Sequence, residues 1–89
     1  MAGQNDLYTL TPSQIVLYGV SWCPDCRRAR RFLNEHHIPY LDVDIDRDPQ
    51  GEAFVKKVNN GYRSVPTIVF PDGSVLVEPS TEELAAKLG

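Results

Sequence analysis

Cys23-Pro24-Asp25-Cys26 lies between a short apolar run, Ile15-Val16-Leu17-Tyr18 closed by Gly19, and an unbroken series of helix formers that reaches His37 before Pro39 stops it. That junction dictates a strand running into a helix whose first turn carries both thiols. With Pro24 at the first helical position, Cys23 becomes the N-cap and Cys26 the N3 residue. At about 100° per residue, Cys26, Ala29, Phe32, Leu33 and His36 share one side of the helix, and Arg27, Arg28, Arg30 and Arg31 share the other. The helix is amphipathic, with Cys26 facing inward.

The remaining pattern completes one small domain. Apolar and acidic residues alternate along Leu41-Asp42-Val43-Asp44-Ile45-Asp46, which marks a strand with one buried face. Asp48-Pro49 supplies a cap and a first-turn proline for a helix carrying Phe54, Val55 and Val58 and ended by Asn59-Asn60-Gly61. Thr67-Ile68-Val69-Phe70 and Val75-Leu76-Val77 flank a turn cluster, Pro71-Asp72-Gly73-Ser74, as in a hairpin. Ser80 and Glu83 form a capping box for a last helix through Leu84, Ala85 and Leu88, with Lys87 near its negative end. The order is β-α-β-α-β-β-α, an α/β class. Residues 1–13, polar with scattered apolar residues and ending near Pro12, read as a flexible extension, and 14–89 as the domain.

Composition excludes several function classes. Of 89 residues, 42% are hydrophobic and 24% charged, as expected of a folded globular chain. Nine basic against twelve acidic residues give 9 − 12 = −3, a field that repels phosphate backbones and anionic lipid, so neither nucleic acid nor membrane is expected as a partner. Met1 to Gln14 has no Lys or Arg and no signal-type apolar stretch, and the expectation is a cytoplasmic protein.

In that compartment two cysteines three positions apart are poorly suited to bracing a fold. A bridge between them closes a loop of four residues. Chain entropy gives so short a loop roughly 2 kcal/mol at most, against about 3 for fifteen residues. A pair that opens and closes is the better reading. Zinc needs four ligands, and the other soft candidates, His36 and His37, are adjacent rather than spaced, so no metal is expected. Asp42, Asp44 and Asp46 mimic the start of a calcium loop, but Arg47 stands where that loop needs glycine, and a solvated strand face is expected instead.

The register sets the chemistry. An N-cap side chain accepts hydrogen bonds from the amides of Asp25 or Cys26, and the positive end of the helix dipole favours an anion there. Cys23 is therefore the expected attacking thiolate, while Cys26, shielded on the inner face, resolves the mixed disulfide. Asp25 complements the dipole yet repels a neighbouring thiolate. The arginines read first as a solvated helix face; alternatively, some of Arg27, Arg28, Lys56 and Arg63 steer an anionic thiol. His36 and His37 fit the end of the helix as favourable partial charges. Trp22 is either a core ring or an exposed wall of the substrate groove.

With these elements in this order and the dithiol at the first strand-to-helix turn, residues 14 to 88 resemble the thioredoxin fold, and the chain's size is similar to that of a glutaredoxin. Trp22-Cys23-Pro24-Asp25-Cys26 lies at that family's dithiol, and Ser64-Val65-Pro66-Thr67 resembles its Thr-Val-Pro segment. The resemblance implies a four-stranded mixed sheet with three helices, a cis Pro66 near Cys23, and Val65 backbone groups that pair with the substrate like an added strand. It also implies a substrate or thiol site including Trp22, Pro24, Asp25, Arg63, Val65, Pro66, Thr81 and Glu82, with Cys23 and Cys26 catalytic and no tightly bound cofactor. The family's usual lysine before the dithiol is Val20 here, its motif tyrosine is Asp25, and its Gly-Gly before the last helix is Pro79-Ser80. The sequence looks most like mycoredoxin-type bacterial members, which implies mycothiol or glutathione as co-substrate, disulfide-containing proteins as targets, a flavoprotein disulfide reductase acting indirectly, and a monomer. Two alternatives stand beside this reading: a redoxin electron donor recharged by thioredoxin reductase, and an iron–sulfur cluster module, against which Pro24 argues because cluster-carrying members most often have glycine there.

Overall fold

A computed structural model describes residues 6–89, and residues 1–5 of the expected N-terminal extension lie outside the described residues. The elements are β1 (Ile15–Gly19), α1 (Pro24–Glu35), β2 (Tyr40–Asp44), α2 (Pro49–Val58), β3 (Thr67–Val69), β4 (Val75–Val77) and α3 (Thr81–Leu88). The sheet order is β2-β1-β3-β4, with β1 parallel to β2 and the β1–β3 and β3–β4 pairs antiparallel. This is the four-stranded mixed sheet with three helices implied by the resemblance.

Every residue of β1 is buried, because β1 is a central strand covered on both faces. Val16 and Tyr18 pack with Val43, Val69 and the α2 residues Phe54 and Val55. On the opposite face Ile15 and Leu17 pack with Ile68, Phe70, and with Ala29, Leu33 and Leu84 of α1 and α3. The alternation in β2 is kept: Val43 is buried and Asp42 exposed.

Helix ends follow their signals, with one shift. Asp48 accepts from the Gln50 amide at 3.2 Å ahead of Pro49, and Ser80 and Glu83 form the full capping box. The first helix, expected to reach His37, stops at Glu35. His37 turns left-handed at φ 55°, and the amides of His37 and Ile38 donate back to Asn34 and Leu33 at 3.1 and 2.9 Å. This double bond pattern satisfies the last carbonyls, and Ile38 folds against the cluster containing Leu33.

Residues 6–13, read from sequence as part of the extension, run in turns against the domain. Leu7 and Tyr8 pack on the core. The Tyr8 amide donates to the Tyr18 hydroxyl at 2.9 Å, and the Tyr8 hydroxyl donates to Asp48 at 2.5 Å.

Candidate functional site

The parallel strands β1 and β2 end together, with Gly19 opposite Asp44 and the Ile45 amide donating to the Gly19 carbonyl at 2.9 Å. The loops that leave them, 20–23 and 45–48, therefore emerge side by side at the carboxyl end of the sheet, where ligands of such folds bind. Cys23 is the N-cap of α1 in extended conformation, φ −88° and ψ 123°, Pro24 opens the helix, and the Cys23 carbonyl accepts from Arg27 at 3.1 Å. Cys23 is half-buried and Cys26 is fully buried, both as free thiols.

One expectation is corrected. The Cys23 side chain makes no capping hydrogen bond to the amides of Asp25 or Cys26. A thiol sulfur is a weak acceptor, which leaves these amides without a side-chain cap. Burial first, then hydrogen bonding with Cys23 and the charge of Cys23, push the Cys26 thiol up to about 11; the Val20 amide and the Arg30 guanidinium oppose the rise. Cys26 is thus held protonated beneath its partner at neutral pH.

Residues outside the motif build this arrangement. Gly19 clears the space for Cys26: a Cβ at Gly19 would stand 2.8 Å from the Cys26 sulfur. Arg30, assigned by periodicity to the outer face, reaches across the sheet edge instead. It donates to the Val20 carbonyl at 3.1 Å and grips both oxygens of Asp42 at 2.9 and 3.2 Å. Its long stem lets a residue on the polar side of the helix bend back over the end of β1.

Trp22 is 64% exposed, a wall rather than a core ring. Its indole N–H donates to Asp46 at 2.8 Å, and the other Asp46 oxygen accepts from Arg63. Arg63 also donates to Glu52 on α2 at 2.6 Å. The hydrogen bond from Trp22, with that from Arg63, lowers the Asp46 carboxyl below its ordinary value, and Glu52 and Asp46 raise Arg63. The aspartates of 42–46 are therefore not a uniformly solvated face: Asp42 pairs with Arg30, Asp46 with Trp22 and Arg63, and Asp44 accepts from the Asp46 amide at 3.0 Å. Sequence reasoning missed Gly19, Arg30, Asp46 and Glu52; the position of Gly19 and Asp46 just at and past the ends of two parallel strands was the available signal.

Of the other expected residues, Asp25 is half-buried and paired with Arg28 at 2.9 Å, and Arg27 and Lys56 are exposed. The Val65–Pro66 peptide is cis, as the resemblance implied. Val65 packs against the same cluster that receives Cys23. The Glu78 amide donates to the Pro66 carbonyl at 2.8 Å, so the chain leading into α3 passes beside the proline. Thr81 and Glu82 are exposed at the start of α3, where the capping box occupies the amides of Ser80 and Glu83. His36 caps α1 and lies against Phe32, with ring centroids 4.3 Å apart. Among the described residues no group of three or more His, Cys, Asp or Glu side chains is placed to hold a metal ion, and no helix is long and apolar enough to cross a membrane.

Comparison with known proteins fits this geometry. The glutaredoxin family model matches residues 15–76. A Mycobacterium tuberculosis protein provisionally named a glutaredoxin is 43% identical over 74 residues, covering 83% of this chain and 88% of that protein. Mycoredoxin 1 of Corynebacterium glutamicum is 36% identical over 76 residues, covering 85% and 94%. The crystal structure of a glutaredoxin from Archaeoglobus fulgidus superposes with a TM-score of 0.73 at 27% identity, covering 99% of this chain and 100% of that one.

Proposed function

The chain belongs to the glutaredoxin family and is a thiol–disulfide oxidoreductase, and on that premise we propose that it reduces protein disulfides and mixed disulfides through Cys23, with Cys26 as resolving thiol and a mycothiol-type small thiol as reductant. The observation that carries this reading is the vertical pair: a reachable sulfur at the start of α1 over a sealed one held as a thiol.

The steps follow from that order. The Cys23 thiolate, facing the positive end of α1, attacks one sulfur of the substrate disulfide. A Cys23–substrate disulfide forms and the other substrate sulfur leaves as a thiolate. Cys26 then gives up its proton and attacks Cys23, closing the Cys23–Cys26 disulfide and releasing the second substrate thiolate. Two electrons have moved from protein to substrate. Two small thiols reopen the bridge by the same exchange, leave as their own disulfide, and are regenerated by a flavoprotein reductase. Formation of a Cys23 mixed disulfide takes away the negative sulfur that helps hold Cys26 protonated, so the resolving thiol ionises more readily when it is needed.

Val65 and the cis Pro66 fit a substrate strand laid beside Cys23, and Trp22, Pro24, Asp25, Thr81 and Glu82 fit the rim around it. The likeness to mycoredoxin 1 and Val20 in place of a lysine support mycothiol over glutathione. A cytoplasmic monomer fits the small, acidic chain.

NADPH-coupled assays test the reading. Cys26→Ser should retain turnover of small mixed disulfides, Cys23→Ser should abolish it, and mycothiol with its reductase should sustain the cycle. Equal loss in both variants would contradict the order of the cysteines; recharging by thioredoxin reductase alone would replace the small-thiol reductant with the redoxin-donor reading.

A further inference from the structure

Beside Cys23 the structure builds a charge arrangement that the chemistry of the two thiols does not require. Trp22, the residue before Cys23, is tied by its indole N–H to Asp46; Asp46 is tied to Arg63; and Arg63 is tied to Glu52. The chain of contacts bridges the dithiol loop, the loop after β2, α2, and the segment leading to Val65 and Pro66. Arg63 is one of the four cations that the sequence nominates to steer an anionic thiol, yet its Nε and one terminal nitrogen both donate to carboxylates. Arg28, a second nominee, is paired with Asp25. The three side chains Asp46, Glu52 and Arg63 together leave one net negative charge against the Trp22 wall.

We infer that Asp46 and Glu52 are specificity-determining residues: by fixing Trp22 and neutralising Arg63 they make the Cys23 site favour uncharged or cationic disulfides over carboxylate-bearing ones. The inference rests on Cys23 as the attacking thiol and adds the charge class of its partner. Neither carboxylate touches the reacting sulfurs. They act through Trp22 and Arg63, the first by orientation and the second by removing a positive charge from solvent. A thiol recognised by hydroxyls and apolar ring faces loses nothing at such a site, whereas a dicarboxylate meets a net negative wall.

The test uses three disulfides of similar size: cystamine, cationic; bis(2-hydroxyethyl) disulfide, neutral; and 3,3′-dithiodipropionate, anionic. Single-turnover exchange with the reduced protein is followed at low salt, with the neutral probe as internal reference. The double variant Asp46→Asn, Glu52→Gln converts the cluster from one net negative to one net positive charge. A unit charge about 8 Å away in a water-like medium changes an encounter roughly twofold, so the anionic-to-neutral rate ratio should rise about fivefold and the cationic-to-neutral ratio fall by as much. Both changes should shrink towards unity at about 1 M salt. Trp22 is the sole tryptophan, so fluorescence anisotropy reports how firmly its ring is held: Asp46→Asn, which keeps an acceptor for the indole, should match the parent, and Asp46→Ala should lower it. Thermal melts of each variant establish that the fold is intact, and Glu52→Gln alone provides a second route if the double variant is unstable. Exchange that persists in Cys23→Ser would overturn the reading of Cys23 and this inference with it. Exchange that depends on Cys23 but keeps its charge ratios within a factor of two would overturn this inference alone.

Discussion

The Cys26 sulfur occupies the space that a side chain at Gly19 would need: a Cβ there would lie 2.8 Å from it. The last residue of the central strand and the inner thiol are thus fitted to each other, and the seal over Cys26 depends on a missing methyl group at Gly19.

Gly19→Ala should destabilise the reduced protein by about 1–3 kcal/mol through overpacking. The buried Leu17 side chain, 3.2 Å from the same point, is a lesser crowding that a shift of a few tenths of an ångström relieves. Urea unfolding of Gly19→Ala, Cys26→Ala and the double variant forms the check. Removing the sulfur should recover most of the Gly19→Ala loss, and strictly additive losses would show that the clash lies elsewhere.

Because burial raises the Cys26 thiol from 9.0 to about 11, the folded state binds this proton more tightly than the unfolded chain does. Below the unfolded value the contribution is fully present; as pH rises from 9 to 11 the unfolded state loses the proton first, and stability falls. The loss should approach roughly 2 kcal/mol by pH 11. Denaturation of reduced protein across this range should show the decline, and Cys26→Ala should lack that component. Tyr8 and Tyr18, both raised, contribute further loss at the top of the range and remain in both proteins.

Thr67 is fully buried at the start of β3. Its hydroxyl donates to the Ser64 carbonyl at 2.8 Å and accepts from the Asn59 side-chain Nδ2 at 3.1 Å, bracketing the turn that presents Val65 and Pro66. Thr67→Val keeps the shape and strands both partners, so it should cost about 1–3 kcal/mol. Thermal and urea unfolding measure this; a loss below about 0.5 kcal/mol would mean water replaces the hydroxyl.

Tyr8 pins the N-terminal segment to the cap of α2. Its bond to Asp48, with burial adding to it, pushes the Tyr8 phenol up to about 12. Tyr8→Phe should cost about 1 kcal/mol in stability, and amide exchange should quicken at Tyr8, whose N–H bonds to Tyr18. Unchanged exchange there would show that the apolar contacts of Leu7 and Tyr8 alone hold the segment.

Most elements were legible because their signals are local. The β-branched run of β1, the alternation of β2, the Asp48-Pro49 and Ser80–Glu83 caps and the turn around Gly73 each depend on neighbours within a few residues. The overrun of α1 to His37 is an exception of the same kind: a histidine entering the left-handed region at the end of a helix leaves no compositional trace, since most such positions carry glycine. The dithiol was also legible, for Pro24 sets the register that makes Cys23 reachable and Cys26 inward.

What the sequence determined by itself was therefore the order of the elements and the place of two thiols at a helix start, because those follow from periodicity and from backbone sterics along adjacent residues. Only the tertiary structure decided the partners of the charged and aromatic groups. Arg30 bends to Asp42, Arg63 divides its donors between Asp46 and Glu52, and Trp22 stands in solvent on the carboxylate of a residue 24 positions away. A long polar side chain can satisfy itself in many places on the surface, and which one it takes is settled by which strands end side by side.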